Sequence, residues 1–172
     1  GSQAMQILLE GAGIGFGDEV IVPAYACSPT ASAVAITGAV PVFADVGAGD
    51  ACLLPSEVER LITSKTRAII AVHLGGMPCD MEALNRVAKR HSILLLEDCS
   101  HAHGAEFLER RAGSLGNGAI FSFGSGMNMT CGEGGIIVTG SYELYAECWH
   151  LHTSGRALAG SSEFGGTVLM GT

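Results

Sequence analysis

Three stretches of this chain carry residues that could do chemistry. The first, 119–135 (AIFSFGSGMNMTCGEGG), runs from a β-type segment into a glycine- and serine-rich loop and leaves through a second glycine cluster. Glycines in such a loop let backbone N–H groups close on a phosphate, and Ser122 or Ser125 adds a hydroxyl. No lysine lies in this loop. The second stretch, 98–103 (DCSHAH), places one carboxylate and two imidazoles directly after an apolar run. The third is Gly1, Ser2 and Gln3 at the head of a helix-like pattern, where free N–H groups and a hydroxyl suit an anion.

A carboxylate beside a heteroaromatic nitrogen keeps that nitrogen protonated, because opposite charges in contact favour both charged forms. An anion cradle, the Asp98 carboxylate and an imidazole together therefore suit a pyridoxal-type ring, whose protonated nitrogen makes it an electron sink. The same residues carry plainer readings. Asp98 also suits a helix N-cap, and Ser122 an ordinary strand position. His101 and His103 with Cys99 suggest a metal, but two imidazoles two residues apart are too few ligands and no other Cys/His pair has metal spacing; no metal site is expected. A Cys99–His101 nucleophile pair lacks an orienting third group. Gly11, Gly13, Gly15 and Gly17 look like a dinucleotide fingerprint, yet they follow a helix and precede a strand, the reverse of the required order, so a helix stop and turn is expected there.

The elements that must position these residues alternate along the chain. Apolar spacing and start or stop signals predict helices over 4–12, 28–37, 55–62, 80–91 and 142–151. Strands are predicted over 20–22, 40–46, 67–74, 93–96, 119–123 and 135–139, the longest of them apolar throughout, as a strand covered on both faces should be. This order implies an α/β fold of three layers, a mostly parallel sheet with helices on both faces, and brings the three chemical stretches to the strand ends. The segment 154–166 reads as a loop or mobile segment, and the chain ends without a closing element.

Composition narrows the partners. With 48% hydrophobic and 15% charged residues, 172 residues can bury a real core. A net charge of −8, with Lys89–Arg90 and Arg110–Arg111 as the only adjacent basic pairs, argues against nucleic acid or an anionic membrane; the Arg110–Arg111 pair reads as a solvated turn. No apolar run approaches the ~20 residues that cross a bilayer. Six scattered cysteines without a C-x-x-C read as reduced thiols, and a cytoplasmic location is expected.

The motifs GDEVIVPAYACSPTASAV, GAVPVFADV, TRAIIAVHLGGMPCDM, LLEDCSHAHGAEF, GSLGNGAIFSF and GEGGIIVTG, in this order, make nearly the whole chain resemble the DegT/DnrJ/StrS-type sugar aminotransferases. Those are pyridoxal-phosphate proteins of the aspartate-aminotransferase fold (fold type I). The form of the 124–135 loop looks closest to members acting on aminocyclitols and aminohydroxybenzoate precursors. The resemblance implies that residues 1–172 are a single-domain fragment of the large cofactor-binding domain, with an N-terminal segment and the C-terminal small domain absent. It implies that Asp98 pairs with the pyridine nitrogen, that His101 lies near the ring hydroxyl, and that Ser2, Gln3 and Ser122 hold the phosphate. Cys27 falls where relatives stack an aromatic on the ring face. It further implies pyridoxal or pyridoxamine 5'-phosphate as cofactor, a keto-sugar or keto-cyclitol substrate, an amino donor such as glutamine or glutamate, and a homodimer.

One departure is decisive. Met127, five residues after Ser122 and 29 after Asp98, stands where the family has the lysine that binds the cofactor covalently. The only lysines are Lys65 and Lys89, neither of which is expected to reach the site. Methionine is close to lysine in length and apolar volume, so the pocket is expected to survive while ordinary transamination fails. The expectations are a homologue holding its cofactor without a covalent bond and inactive or altered in transamination, a non-catalytic dimer partner of an active relative, or a cofactor-using enzyme of another reaction.

Overall fold

In the computed structural model, residues 1–153 and 167–171 are described. The chain opens with helix α1 (Ser2–Gly11), then alternates through β1 (Glu19–Pro23), α2 (Ser28–Ile36), β2 (Val40–Ala44), α3 (Pro55–Leu61), β3 (Thr66–Val72), α4 (Met81–His91) and β4 (Leu94–Asp98). A small hairpin, β5 (Glu106–Phe107) and β6 (Arg110–Arg111), precedes β7 (Gly118–Ser122), β8 (Gly135–Thr139), α5 (Tyr142–His152) and β9 (Thr167–Gly171). The main sheet runs β2-β1-β3-β4-β7-β8-β9, parallel from β2 to β7 and antiparallel at β8 and β9.

Why these segments form these elements is visible in their burial. In β3 the side chains alternate between faces, as strand geometry requires. Ala68, Ile70 and Val72 join Met5, Leu8 and Leu9 of α1, Val34 of α2 and Leu144 of α5 in one core, and Ile69 and Ala71 join Val58 of α3 and Leu84 of α4 in the other. That is the three-layer α/β arrangement with helices on both faces. Pro29 and Pro55 sit in the first turns of α2 and α3, where a missing N–H costs nothing. Asp80 caps α4 by accepting from Ala83 N at 2.9 Å, and Lys89, Arg90 and His91 complement its C-terminal dipole.

Three expectations need correction. Arg110–Arg111 is an exposed edge of a two-stranded hairpin, not a bare turn; its tight connection, Leu108–Glu109, lacks the glycine or asparagine that marks such turns in sequence. A closing element exists in β9, which pairs antiparallel with β8 from Gly135↔Gly171 to Thr139↔Thr167. No helix starts at Asp98, so it is not an N-cap. The segment 154–166 lies outside the described residues. All six cysteines are free thiols, and among the described residues no helix is long and apolar enough to cross a membrane.

Candidate functional site

The carboxyl ends of β3, β4 and β7 lie side by side, with Val72 opposite Asp98 and Asp98 opposite Ile120 in register. The loops leaving these ends, the start of α2 after β1, and the first turn of α1 enclose one cleft. It is lined by Ser2, Cys27, Asp98, His101, Ser122 and Met127 among others. Six of the seven residues that the resemblance assigns to the site are thus brought together from four separate stretches of the chain. Gln3, the seventh, is exposed on α1 and does not line the cleft.

Asp98 is 8% exposed, and its carboxylate is fixed from both sides. Thr30 Oγ1 donates to Oδ2 at 2.9 Å, while Ser100 donates to Oδ1 through its hydroxyl at 2.6 Å and its N–H at 3.1 Å. A carboxylate held this way points one way without reorganisation, which is what recognition of a protonated ring nitrogen needs. His101 Nδ1 accepts from Gly75 N at 3.3 Å, so in the neutral ring the proton sits on Nε2. The Asn128 side chain donates to His101 O at 3.0 Å and ties the loop carrying Met127 to this segment.

At the other end of the cleft, α1 starts with Gly1 and no side-chain cap, leaving the N–H groups of its first turn without intrahelical partners. A Cβ built on Gly1 would lie 3.0 Å from Ser122 Oγ and 3.6 Å from Ser100 Oγ. Gly135, opposite Ser122 on β8, comes so close that its Cβ would lie 3.1 Å from Gly1 N. Helix N–H groups and the Ser122 hydroxyl around a space that a single methyl would fill form a donor set for a phosphate, beside the Ser100 hydroxyl that already donates to Asp98. The residues present therefore fit a phosphorylated pyridine: donors at one end, a fixed carboxylate at the other, and Cys27 and Met127 along the walls. With a volume of about 80 Å³ the cleft is one wall of a binding site, not a closed pocket.

Behind the cleft lies a pair that the sequence did not mark. Glu97 and His73 are both fully buried, with His73 Nε2 3.0 Å from Glu97 Oε2. Glu97 also accepts from Gly113 N at 2.8 Å and from Leu115 N and Gly116 N at 2.7 Å. Burial alone would push this carboxyl up, but the bonds from His73, Gly113, Gly116 and Leu115 outweigh it and hold it below its ordinary value. His73 Nδ1 accepts from Cys79 N, which leaves Nε2–H to donate to Glu97. With Cys99, these two form the one group of three potential metal ligands among the described residues. The lone pairs of His73 Nδ1 and of Glu97 are already engaged by N–H donors, and the Cys99 thiol faces Glu97 Oε2 as a donor at 4.0 Å, which argues for a structural staple. Burial first, then the charges of Glu97 and Asp98, push the Cys99 thiol up, which removes the nucleophile reading. His103 turns away from the cleft, packed against Phe121 and Phe123 at ring distances of 5.3 and 5.5 Å.

The profile of the DegT/DnrJ/EryC1/StrS aminotransferase family matches residues 1–172. Among curated relatives, the L-glutamine:2-deoxy-scyllo-inosose aminotransferase of Micromonospora echinospora is 44% identical over 156 residues, 91% of this chain and 37% of that protein. This chain therefore spans well under half the length of the curated relatives it matches. Of the solved structures, 3-amino-5-hydroxybenzoic acid (AHBA) synthase matches with a TM-score of 0.89 at 36% identity, over 99% of this chain and 46% of that one. Spr1654 of Streptococcus pneumoniae in its PLP-form matches with a TM-score of 0.83 at 30% identity, over 88% of this chain and 44% of that one, and is also solved in a PMP-form.

Proposed function

The chain belongs to the DegT/DnrJ/EryC1/StrS aminotransferase family, and from that premise we propose that it forms one wall of a site for pyridoxal or pyridoxamine 5'-phosphate that holds the cofactor without a covalent bond. The observation that carries this reading is that Asp98, Ser122 and Met127 line one cleft, while both lysines lie at the other end of the sheet. Lys65 directly precedes the amino end of β3, and Lys89 sits in the last turn of α4, which leads into the amino end of β4.

When bound, the cofactor supplies an electron sink and a carrier for an amino group. The Ser2 N–H and the Ser122 hydroxyl would hold its phosphate, with the Gln3 N–H in the same first turn of α1 although the Gln3 side chain lies outside the cleft, and Asp98 would keep a proton on the ring nitrogen. His101, with its Nε2–H, would donate to the ring hydroxyl. Met127 has neither an amine to bind the aldehyde nor a base to move a proton, so proton transfer at that position is lost. Ordinary transamination by this chain should accordingly be weak or absent. The relative's names for its substrates extend the proposal to the whole protein: a keto-cyclitol or keto-sugar acceptor and glutamine or glutamate as donor. The chain would be part of a large domain, cytoplasmic, and completed as a homodimer; the half-open cleft supports a site finished by residues from elsewhere.

The test is direct. The purified chain is equilibrated with pyridoxal 5'-phosphate, treated with borohydride and digested for mass spectrometry. No lysine should carry the cofactor in this protein, whereas Met127→Lys should be labelled at residue 127 and gain cofactor absorbance. Labelling of Lys65 or Lys89, or no labelling of the variant, overturns the proposal.

A further inference from the structure

A second concave surface lies away from the cleft, between α4 and the β5–β6 hairpin. It encloses about 400 Å³, within the range of small-molecule sites. Its floor is apolar: Met81 is 1% exposed, Leu115 is 5% exposed, and Phe107 is half-buried. Asn85 fixes that floor, its side-chain amide donating to Met81 O at 2.8 Å and to Leu115 O at 2.9 Å. The rim is basic. Arg86, Lys89 and Arg110 line it with a single carboxylate, Glu82, so a chain of net charge −8 places three cations against one anion here.

Basic residues late in a helix are ordinarily just solvated. Here they stand around an apolar floor, and two of them keep their charge uncommitted. Glu82 pairs with Arg86 at 2.9 Å, but Lys89 and Arg110 make no ion pair among the described residues. Arg110 is instead steadied by a bond to Ser114 O at 2.5 Å. The hairpin tip adds an overhang: Leu108 stands 69% exposed at the groove edge on a turn whose two central residues, Leu108 and Glu109, both have positive φ.

We propose that this groove binds a small amphipathic anion, an aromatic or alicyclic carboxylate whose ring lies on Met81, Phe107 and Leu115 and whose charge meets Lys89 and Arg110. A thioether and an aromatic ring favour a flat ring over an alkyl chain, and a guanidinium with a neighbouring ammonium favours a carboxylate. The site does not share a residue with the cofactor cleft, so the two can be read separately.

The experiment titrates 2-naphthoate, and separately the neutral 2-naphthamide, into the ¹⁵N-labelled chain. 2-Naphthoate should shift the amides of Asn85, Lys89, Phe107 and Leu108 saturably, and added salt should weaken it. The triple variant Arg86→Gln, Lys89→Gln, Arg110→Gln should keep the dispersed spectrum of the folded chain and bind about tenfold more weakly, each exposed charge contributing under a decade. Equal binding of the amide and the acid, unchanged binding by the variant, shifts centred on Ser2, His101 and Ser122, or no shifts at all would each overturn the proposal. If the triple variant does not fold, Arg110→Gln alone with the salt titration decides the same point.

Discussion

At the residue scale, the site depends on partners that no local spacing reveals. Thr30 lies 68 positions before Asp98, yet its hydroxyl fills Oδ2 at 2.9 Å. Thr30→Val keeps the shape and removes the donor, leaving a buried carboxylate oxygen unpaired; it should cost about 1–3 kcal/mol in urea unfolding. The same variant should weaken retention of pyridoxal 5'-phosphate in equilibrium dialysis, because Asp98 then loses its fixed direction. Glu97 makes the complementary prediction. Its carboxyl is held below its ordinary value of 4.5, so the stabilisation it provides is complete above that value and is lost as pH falls through the lower folded one. Urea midpoints should therefore drop from pH 4.5 downward. Glu97→Gln places an amide against N–H donors, and should cost about 3 kcal/mol at neutral pH while flattening this acid limb. The stretches holding Asp98, His101 and Ser122 were legible because strand ends and loop glycines mark them, and Met127 was singled out by the family resemblance alone. Thr30 and His73 were not, since their roles exist only once β1, β3 and β4 lie side by side.

At the scale of elements, what could be read followed the strength of the local signal. β8 was legible to its bounds and α4 to within a residue at its start, since four apolar residues on one face, a capping Asp80 and a basic last turn agree there. The sheet's antiparallel edge was not legible, because strand direction depends on connections and not on the composition of GIIVT or TVLMG. The β5–β6 hairpin escaped because its turn uses Leu108 at φ 48° and Glu109 at φ 62°, a conformation that β-carbons disfavour. That exception gives a test. Glu109→Gly should relieve the strain and stabilise the chain by about 0.5–1 kcal/mol despite the greater freedom of glycine when unfolded, measured as a rise in urea midpoint. A fall would mean that the side chain of Glu109 contributes more than its backbone costs. Asp80→Ala, by contrast, should cost about 1 kcal/mol through loss of the bond from Ala83 N.

At the scale of the whole molecule, the sheet is covered on both faces, but its β2 edge is exposed. Among the described residues β2 pairs only with β1, and Val40 and Phe43, on opposite faces of this edge strand, are 54% and 56% exposed. Tyr25, shortly before α2, and Ile36, the last residue of α2, are exposed as well, each at 64%. A strand edge with free backbone groups and large apolar side chains is a template for pairing with another chain. The net charge of −8 opposes close approach, and salt screens that opposition. Self-association should therefore rise with both protein concentration and ionic strength, the reverse of what an association driven by ion pairs would show. Phe43→Lys puts a charge on the edge without touching the cleft or the groove, and should shift the sedimentation-velocity distribution toward monomer at every salt concentration. Unchanged sedimentation in that variant would assign the association to another surface. The cofactor experiment can be run on the same variant, because a cleft finished by a neighbouring molecule across this edge would lose affinity together with the assembly, whereas a cleft finished elsewhere would keep it.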